Sequence, residues 1–200
     1  MAYVTSDPAV SADGFIAGPR QSLENPLGEG AERLHRWMFE TPDENTAELE
    51  AITAADAFIM GRNMFAPGRG DWDLEWSGWW GEDPPYHKPV FVLTHHPRAD
   101  LVMKGGTTFH FVTGGLQEAA ERAREVTGDG RISVAGGAST VNQALAAGLI
   151  DELRLHVAPE LLGTGERLFD GIPALRLEQI SGRSASLVTH ITYRVRPPSA

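Results

Sequence analysis

The sequence predicts an α/β fold of three layers, a mostly parallel central sheet flanked by helices and ending in an antiparallel hairpin. Three observations predict it. The runs "AFIM" (57–60), "VFVL" (90–93) and "ISVA" (132–135) are too short and too apolar for anything but buried strands. Amphipathic helical patterns alternate with such runs, as in a parallel sheet covered on both faces. The last two strand candidates, "ALRLEQIS" and "SLVTHITYRV", have no helix between them and read as antiparallel, joined through Gly182.

The elements follow in order. "AYVTSDPAVSADGFIAG" opens with β-type residues and reaches the turn dipeptide Asp13-Gly14. Residues 19–30, rich in Gly, Pro, Asn and charge, form a loop. "AERLHRWMFE" places Leu34, Trp37 and Met38 on one helix face. Thr41-Pro42-Asp43-Glu44 predicts a second helix start. Thr41 would be the cap, Pro42 the first helical residue and Glu44 the partner in a capping box, with the helix running to about Ala55. "AFIM" is then a strand, residues 66–88 a long Trp/Pro/Gly-rich loop and "PVFVLT" a strand. "TTFHFVT" is a strand, and "LQEAAERAREV" a helix with Leu116, Ala119, Ala120, Ala123 and Val126 on one face. "RISVA" is a strand, "ASTVNQALAA" a helix capped by Gly148, and "IDELRLHVA" a strand. The tail "RPPSA" frays.

A chain of 200 residues suits one domain, spanning 1–200, with a sizeable core. The net charge of −10 argues against nucleic acid, which needs a basic face. There is no cysteine, so disulfides, thiolate catalysis and Cys-ligated zinc are excluded. The seven His form no H-x-x-x-H pair, so no metal is expected. The N-terminus lacks a basic region followed by an apolar core, and no apolar run suits a membrane span, so a cytoplasmic protein is expected.

In an open parallel sheet, ligands lie beyond the carboxyl ends of the strands. Three such ends carry unusual residues: Gly61-Arg62-Asn63, Thr94-His95-His96, and Gly136-Gly137-Ala138-Ser139-Thr140. Two glycines where strand becomes helix let a backbone approach a ligand closely. The helix amides, with Ser139 and Thr140, would hold an anion such as a pyrophosphate. A tight strand-to-helix turn explains the same segment. Arg62 with Thr94 and His95 would make a second anion pocket, suited to a phosphate on an adenosine ribose; a surface Arg and a solvated turn before Pro97 are the alternatives.

These segments resemble the dihydrofolate reductase-like superfamily. In particular, the chain is similar to stand-alone relatives of the reductase domain of the riboflavin-biosynthesis deaminase/reductase. The resemblance rests on "VSADGFIAG" (10–18), "FIMGRNMF" (58–65), "VFVLTHHP" (90–97) and "VAGGASTVNQALAAGLIDELRLHVAPELLGTGERLF" (134–169), in the family's order. It implies NADPH as hydride donor and a homodimer. By position it implies that Gly136, Gly137, Ala138, Ser139 and Thr140 cradle the pyrophosphate, with a cis peptide between the two glycines. It places Arg62, Thr94 and His95 at the adenosine phosphates, and Gly61, Asn63 and Met64 in the same groove. Ala9, Ile16 and Ala17 fall beside the nicotinamide, and Gly163, Thr164 and Gly165 in a bordering loop.

Departures from the family leave the substrate open. An acid early in the first helix protonates the pterin in dihydrofolate reductases; here Glu29 and Glu32 are candidates, or solvated helix-start carboxylates. Asp13 matches the family's early Asp but also suits a turn. No Arg/Lys cluster offers a clamp for a ribitol phosphate. "DWDLEWSGWWGEDPPYH" (71–87) holds four of the five Trp. It reads as a self-packed loop, a dimer contact, or a wall over the substrate with Trp79 and Trp80 facing the ligand. His156 faces opposite Leu155 and Val157, as a substrate contact or as a structural His. Three functions follow: an NADPH-dependent reductase of a small pyrimidine- or sugar-derived substrate, a dihydrofolate reductase, or a non-catalytic NADP(H)-binding protein.

Overall fold

The computed structural model describes residues 2–68 and 70–196. Its strands are β1 (Tyr3–Ser6), β2 (Ala9–Ser11), β3 (Phe15–Ala17), β4 (Ala57–Gly61), β5 (Pro89–Leu93), β6 (Leu101–Val102), β7 (Thr108–Val112), β8 (Arg131–Gly136), β9 (Glu152–Ala158), β10 (Glu166–Arg167), β11 (Arg176–Ala185) and β12 (Val188–Arg196). The α-helices are α1 (Arg36–Glu40), α2 (Thr46–Thr53), α3 (Arg62–Phe65), α4 (Gly115–Thr127) and α5 (Ala138–Ala146). The main sheet runs β11-β12-β9-β1-β8-β4-β5-β7-β6, with β2 also on β9, while β10 pairs β3 separately. Pairing is parallel from β9 through β1, β8, β4 and β5 to β7. Both ends are antiparallel, β12 on β9 and β11 on β12 at one edge, β6 on β7 at the other. The mixed α/β architecture predicted from the sequence is therefore the one present.

Each face of the sheet has its own cover. Helices α4 and α5 place Ala119, Ala120, Ala123, Val141, Ala144 and Leu145 on Ile59, Phe91, Ile132, Val134 and Leu153. Small alanines let helix and sheet approach closely, and Val126, in the last turn of α4, is exposed instead of packed. On the opposite face only the short α3, through Phe65, packs on the cluster of Phe58, Met60, Val90, Val92, Phe109 and Phe111 among the described helices. The aromatic loop covers them, with Trp72, Trp76, Trp80 and Tyr86 packed there. Leu34 and Trp37, the latter on α1 itself, are the buried side chains of the segment leading to α2.

Local readings needed correction where tertiary partners compete with helix signals. Residues 31–40 form a 3-10 turn (Ala31–His35) before α1, not one continuous helix. The capping box is not made. Thr41 donates its hydroxyl to the Trp37 carbonyl (3.3 Å), and Glu44 accepts from the amide and hydroxyl of Ser186, each at 2.9 Å. The helix accordingly starts at Thr46 after a 3-10 turn and ends at Thr53. The Gly148 cap is present: Gly148, at φ +64°, donates to Leu145, and Leu149 to Ala144, the bonds of a Schellman motif. The hairpin does not turn at Gly182, which pairs with Ile191 inside the ladder; the chain reverses at Ser186-Leu187 between the paired Ala185 and Val188. Of the tail, Arg196 ends β12, and residues 197–200 lie outside the described residues.

Candidate functional site

The carboxyl ends of β4 and β8 lie side by side, and their glycines separate into two kinds. A Cβ on Gly61 would come within 2.6 Å of Thr140 Oγ1, and one on Gly136, at φ +142°, within 3.2 Å of Met64 Sδ. Contact between β4, α3 and α5 therefore requires these two. Gly137 is different. Its φ of −75° suits any residue, and an added Cβ would meet no protein atom within 4 Å. Neither its φ nor contact with residues beyond its chain neighbours calls for glycine there. What remains is room left at the start of α5, where the first helical amides have no intrahelical acceptor. The Gly136–Gly137 peptide is cis. Ala138 and Thr140 are buried, and Ser139 is exposed with its Oγ accepting from Gln143 (3.0 Å).

Arg62 and Asn63 open α3 at the neighbouring strand end. The Arg62 guanidinium donates to the carbonyls of Gly70 (2.5 Å) and Asp71 (3.2 Å) and lies 4.1 Å over the Trp72 ring. Its Nε is buried without a partner. Thr94, at the end of β5, is buried, and its hydroxyl accepts from the His96 amide at 3.0 Å, closing a turn that leaves His95 exposed. Asn63 is exposed and Met64 half-buried.

A third group gathers around the turn between β2 and β3. Asp13 accepts from Ser11 Oγ (2.6 Å) and from the amides of Leu162 (3.1 Å) and Gly163 (2.7 Å). The Ser11 bond, with these amides, holds its carboxyl down at about 2. Asp13 thus ties the loop of Gly163, Thr164 and Gly165 to β3 and has no proton to give near neutral pH. A Cβ on Gly165 would lie 2.1 Å from the Ala17 carbonyl, so the loop runs against Ala17 and Gly18, with Ile16 next in the chain. Asn142 of α5 bonds Arg167 O and the Phe169 amide, bringing this loop to the same helix as Gly137.

The other candidates are dispersed. Glu32 is exposed, and Glu29 is paired with Arg20. Trp79 donates to Met64 O (3.1 Å) and stands edge-on to Trp76, while Trp80 stacks on Phe109 with centroids 5.8 Å apart. The loop is anchored over β4, β5 and β7, several strands from His156 on β9. The structure does not bring Trp79 and Trp80 together with His156.

His156 instead belongs to a buried polar network that sequence reasoning missed. Its Nδ1 lies 2.7 Å from His190 Nδ1, its strand partner on β12, and Trp37 packs 4.9 Å away. His190 Nε2 reaches Asn45 Oδ1 (2.9 Å), which also accepts from Arg183; Arg183 in turn pairs with Glu48. Beside it Arg154 binds Asp7 (3.2 Å) and Glu152 (2.6 Å). Burial pushes His156 down to about 3, helped by the neighbouring His190, and pushes Asp7 up to about 6 against the pull of Arg154. The available signal was a histidine within each of two strand candidates, "RLHVA" and "VTHIT". Nothing local marked Asp7 or Asn45.

Among the described residues no cluster of three or more His, Asp or Glu is placed to hold a metal, and no helix is long and apolar enough to cross a membrane. The model of the RibD C-terminal domain matches residues 2–189. The uncharacterized protein YyaP of Bacillus subtilis (strain 168) is 26% identical over 199 residues, 94% of this chain and 92% of YyaP. A proposed riboflavin biosynthesis protein from Shewanella sp. PV-4 has a similar structure, with a TM-score of 0.65 and 25% identity over 98% of this chain and 99% of that one. The Enterococcus faecalis dihydrofolate reductase complexed with NADP(H) and RAB-propyl shares the fold, with a TM-score of 0.57 and 15% identity over 96% of each chain. With glycine-lined strand ends on a mixed sheet and a family model that spans almost its whole length, the chain belongs to the RibD C-terminal domain family, a kinship that supports a reductase of RibD type.

Proposed function

We propose that the protein is an NADPH-dependent reductase of a small pyrimidine- or sugar-derived substrate. The observation that carries this reading is Gly137, a glycine that neither its own φ nor any neighbouring atom requires. The room beside it, at the amide end of α5, fits a pyrophosphate. When bound, the nicotinamide supplies the hydride. The chain's residues bind and orient. The amides of Ala138 and Ser139 receive the phosphates, and the loop held by Asp13 closes beside Ala17. Arg62 uses two guanidinium nitrogens to hold the aromatic loop and, with exposed His95, would hold the ribose phosphate that distinguishes NADPH from NADH. The proposal extends to a homodimer. Strand β11 ends the sheet with ten residues and exposes Leu177 and Ile180 on an unpaired edge, which a second copy would cover.

Titration of each cofactor tests the cofactor assignment. A charge-assisted hydrogen bond contributes about 1.5–3 kcal/mol, so Arg62→Ala is expected to weaken NADPH roughly ten- to a hundredfold and NADH little. Equal losses for the two cofactors would remove the phosphate clamp.

A further inference from the structure

We propose that Asp71 is a specificity-determining residue: its carboxylate stands beside the cations that would take the ribose phosphate and narrows the preference for NADPH over NADH. The inference rests on the cofactor reading above and concerns the same strand ends.

The placement follows from how the aromatic loop is fastened. Its segment Gly70-Asp71-Trp72 is tied to the carboxyl ends of both β4 and β5. After β4, Arg62 donates to the carbonyls of Gly70 (2.5 Å) and Asp71 (3.2 Å) and lies 4.1 Å over the Trp72 ring. After β5, the His96 carbonyl accepts from Trp72 Nε1 (2.7 Å), and the His96 amide is held by the Thr94 hydroxyl (3.0 Å). Asp71 is thus pinned by its own carbonyl on one side and by its neighbour's indole on the other. Its side chain is fully exposed, with Oδ1 3.5 Å from His96 Nδ1. The same carboxylate is felt at Arg62. Burial holds that guanidinium below its ordinary value, and Asp71 pulls in the opposite direction.

Two opposed groups therefore meet where the ribose would lie. A ribose 2′-phosphate is attracted by Arg62 and repelled by Asp71. A ribose 2′-hydroxyl, which NADH carries instead, is a donor that a carboxylate can accept. Arg62 favours the first and Asp71 the second. Solvent screens an exposed carboxylate, so its effect is modest and sensitive to salt. Both bonds from Arg62 to the loop go to backbone carbonyls, which any residue supplies. Asp71→Asn accordingly removes a charge without unfastening the loop.

The test is calorimetric titration of the full chain with NADPH, NADH and adenosine 2′-monophosphate, for the wild type and for Asp71→Asn, with Asp71→Ala as a second variant. Asp73→Asn is the charge control. Asp73 accepts from the Glu75 amide (3.0 Å) and acts on Arg98. Both Asp71 variants are expected to tighten NADPH and adenosine 2′-monophosphate roughly two- to fivefold and to leave NADH no tighter. The gain is expected to vanish at about 1 M salt, where the Debye length is about 3 Å. Asp73→Asn is expected to keep the wild-type ratio of NADPH to NADH affinity. An unchanged ratio in the Asp71 variants, equal gains for NADPH and NADH, or the same gain in Asp73→Asn overturns the proposal and leaves Asp71 a surface partner of His96. Tighter adenosine 2′-monophosphate in Asp71→Asn, with neither nicotinamide cofactor bound, would leave the role of Asp71 standing and remove the reductase reading. NADPH binding that ignores Asp71→Asn would do the reverse, and no binding of any of the three would overturn both.

Discussion

At the scale of single residues, two glycines in sequence have different reasons to be glycine. Gly136 has a positive φ and a crowded Cβ direction; Gly137 has neither. Gly137→Val is accordingly expected to leave far-ultraviolet circular dichroism unchanged and to abolish NADPH binding in a fluorescence titration. Normal binding by the folded variant would make the pair a turn and nothing more. Asp7 and His156 also set a pH dependence. Asp7 rises from 3.8 to about 6 on folding, so its contribution to stability is fully present below pH 3.8 and is lost as pH rises through 6. His156 falls from 6.5 to about 3, so its contribution is present above pH 6.5 and is lost as pH falls through 3. The two slopes oppose each other between pH 3.8 and 6. Removing one titration with Asp7→Asn should expose the other: urea midpoints of the variant should fall more steeply than wild type as pH drops from 6 to 4. Parallel curves would mean that Asp7 gains no proton in that window.

At the scale of elements, the aromatic loop takes the place of a helix. Its indoles donate to the carbonyls of His96, Phe65 and Met64, and Arg98 bonds the carbonyls of Leu74 (3.1 Å) and Trp76 (2.8 Å) from beneath. Trp79 reaches the proposed cofactor groove through Met64, whose Sδ lies against Gly136. Trp79→Ala is therefore expected to weaken NADPH more than any substrate analogue, and NADPH binding to change tryptophan fluorescence. A loss confined to the substrate analogue would restore the loop as a substrate wall. Four tryptophans between two strands announced a covered loop, but not what it covered. A Trp ring seeks any apolar surface, and the bare face of β4, β5 and β7 exists only once the sheet is assembled.

At the scale of the whole molecule, the sheet is buried by helices and loop in its middle and ends on β11, exposed along nearly all of its length. Sedimentation at micromolar concentration is expected to give a dimer, and a charge placed on the edge, Ile180→Lys, to shift it toward monomer. A monomeric wild type would remove the homodimer from the proposal. The parallel order was legible because buried strands alternate with amphipathic helices. The hairpin's reversal point was not: Gly182 carried the stronger turn signal, and cross-strand registry with β9 and β12 moved the turn to Ser186-Leu187.

By itself the sequence determined the α/β class, the buried strands, the helices α4 and α5 with the Gly148 cap, and the glycine-rich strand ends. These are local patterns, set by apolar period and by backbone freedom within a few residues. The tertiary structure alone decided which of the two glycines borders open space, that Asp13 is a tether held ionised, and that Asn45, His156 and His190 join in one buried network beside the Asp7–Arg154 pair. A carboxylate at residue 7 and histidines at 156 and 190 carry no mark of one another in the chain. Only the β2–β9–β12 register places them together, and only burial strips them of water and leaves Asp7 Oδ2 and His156 Nε2 without partners.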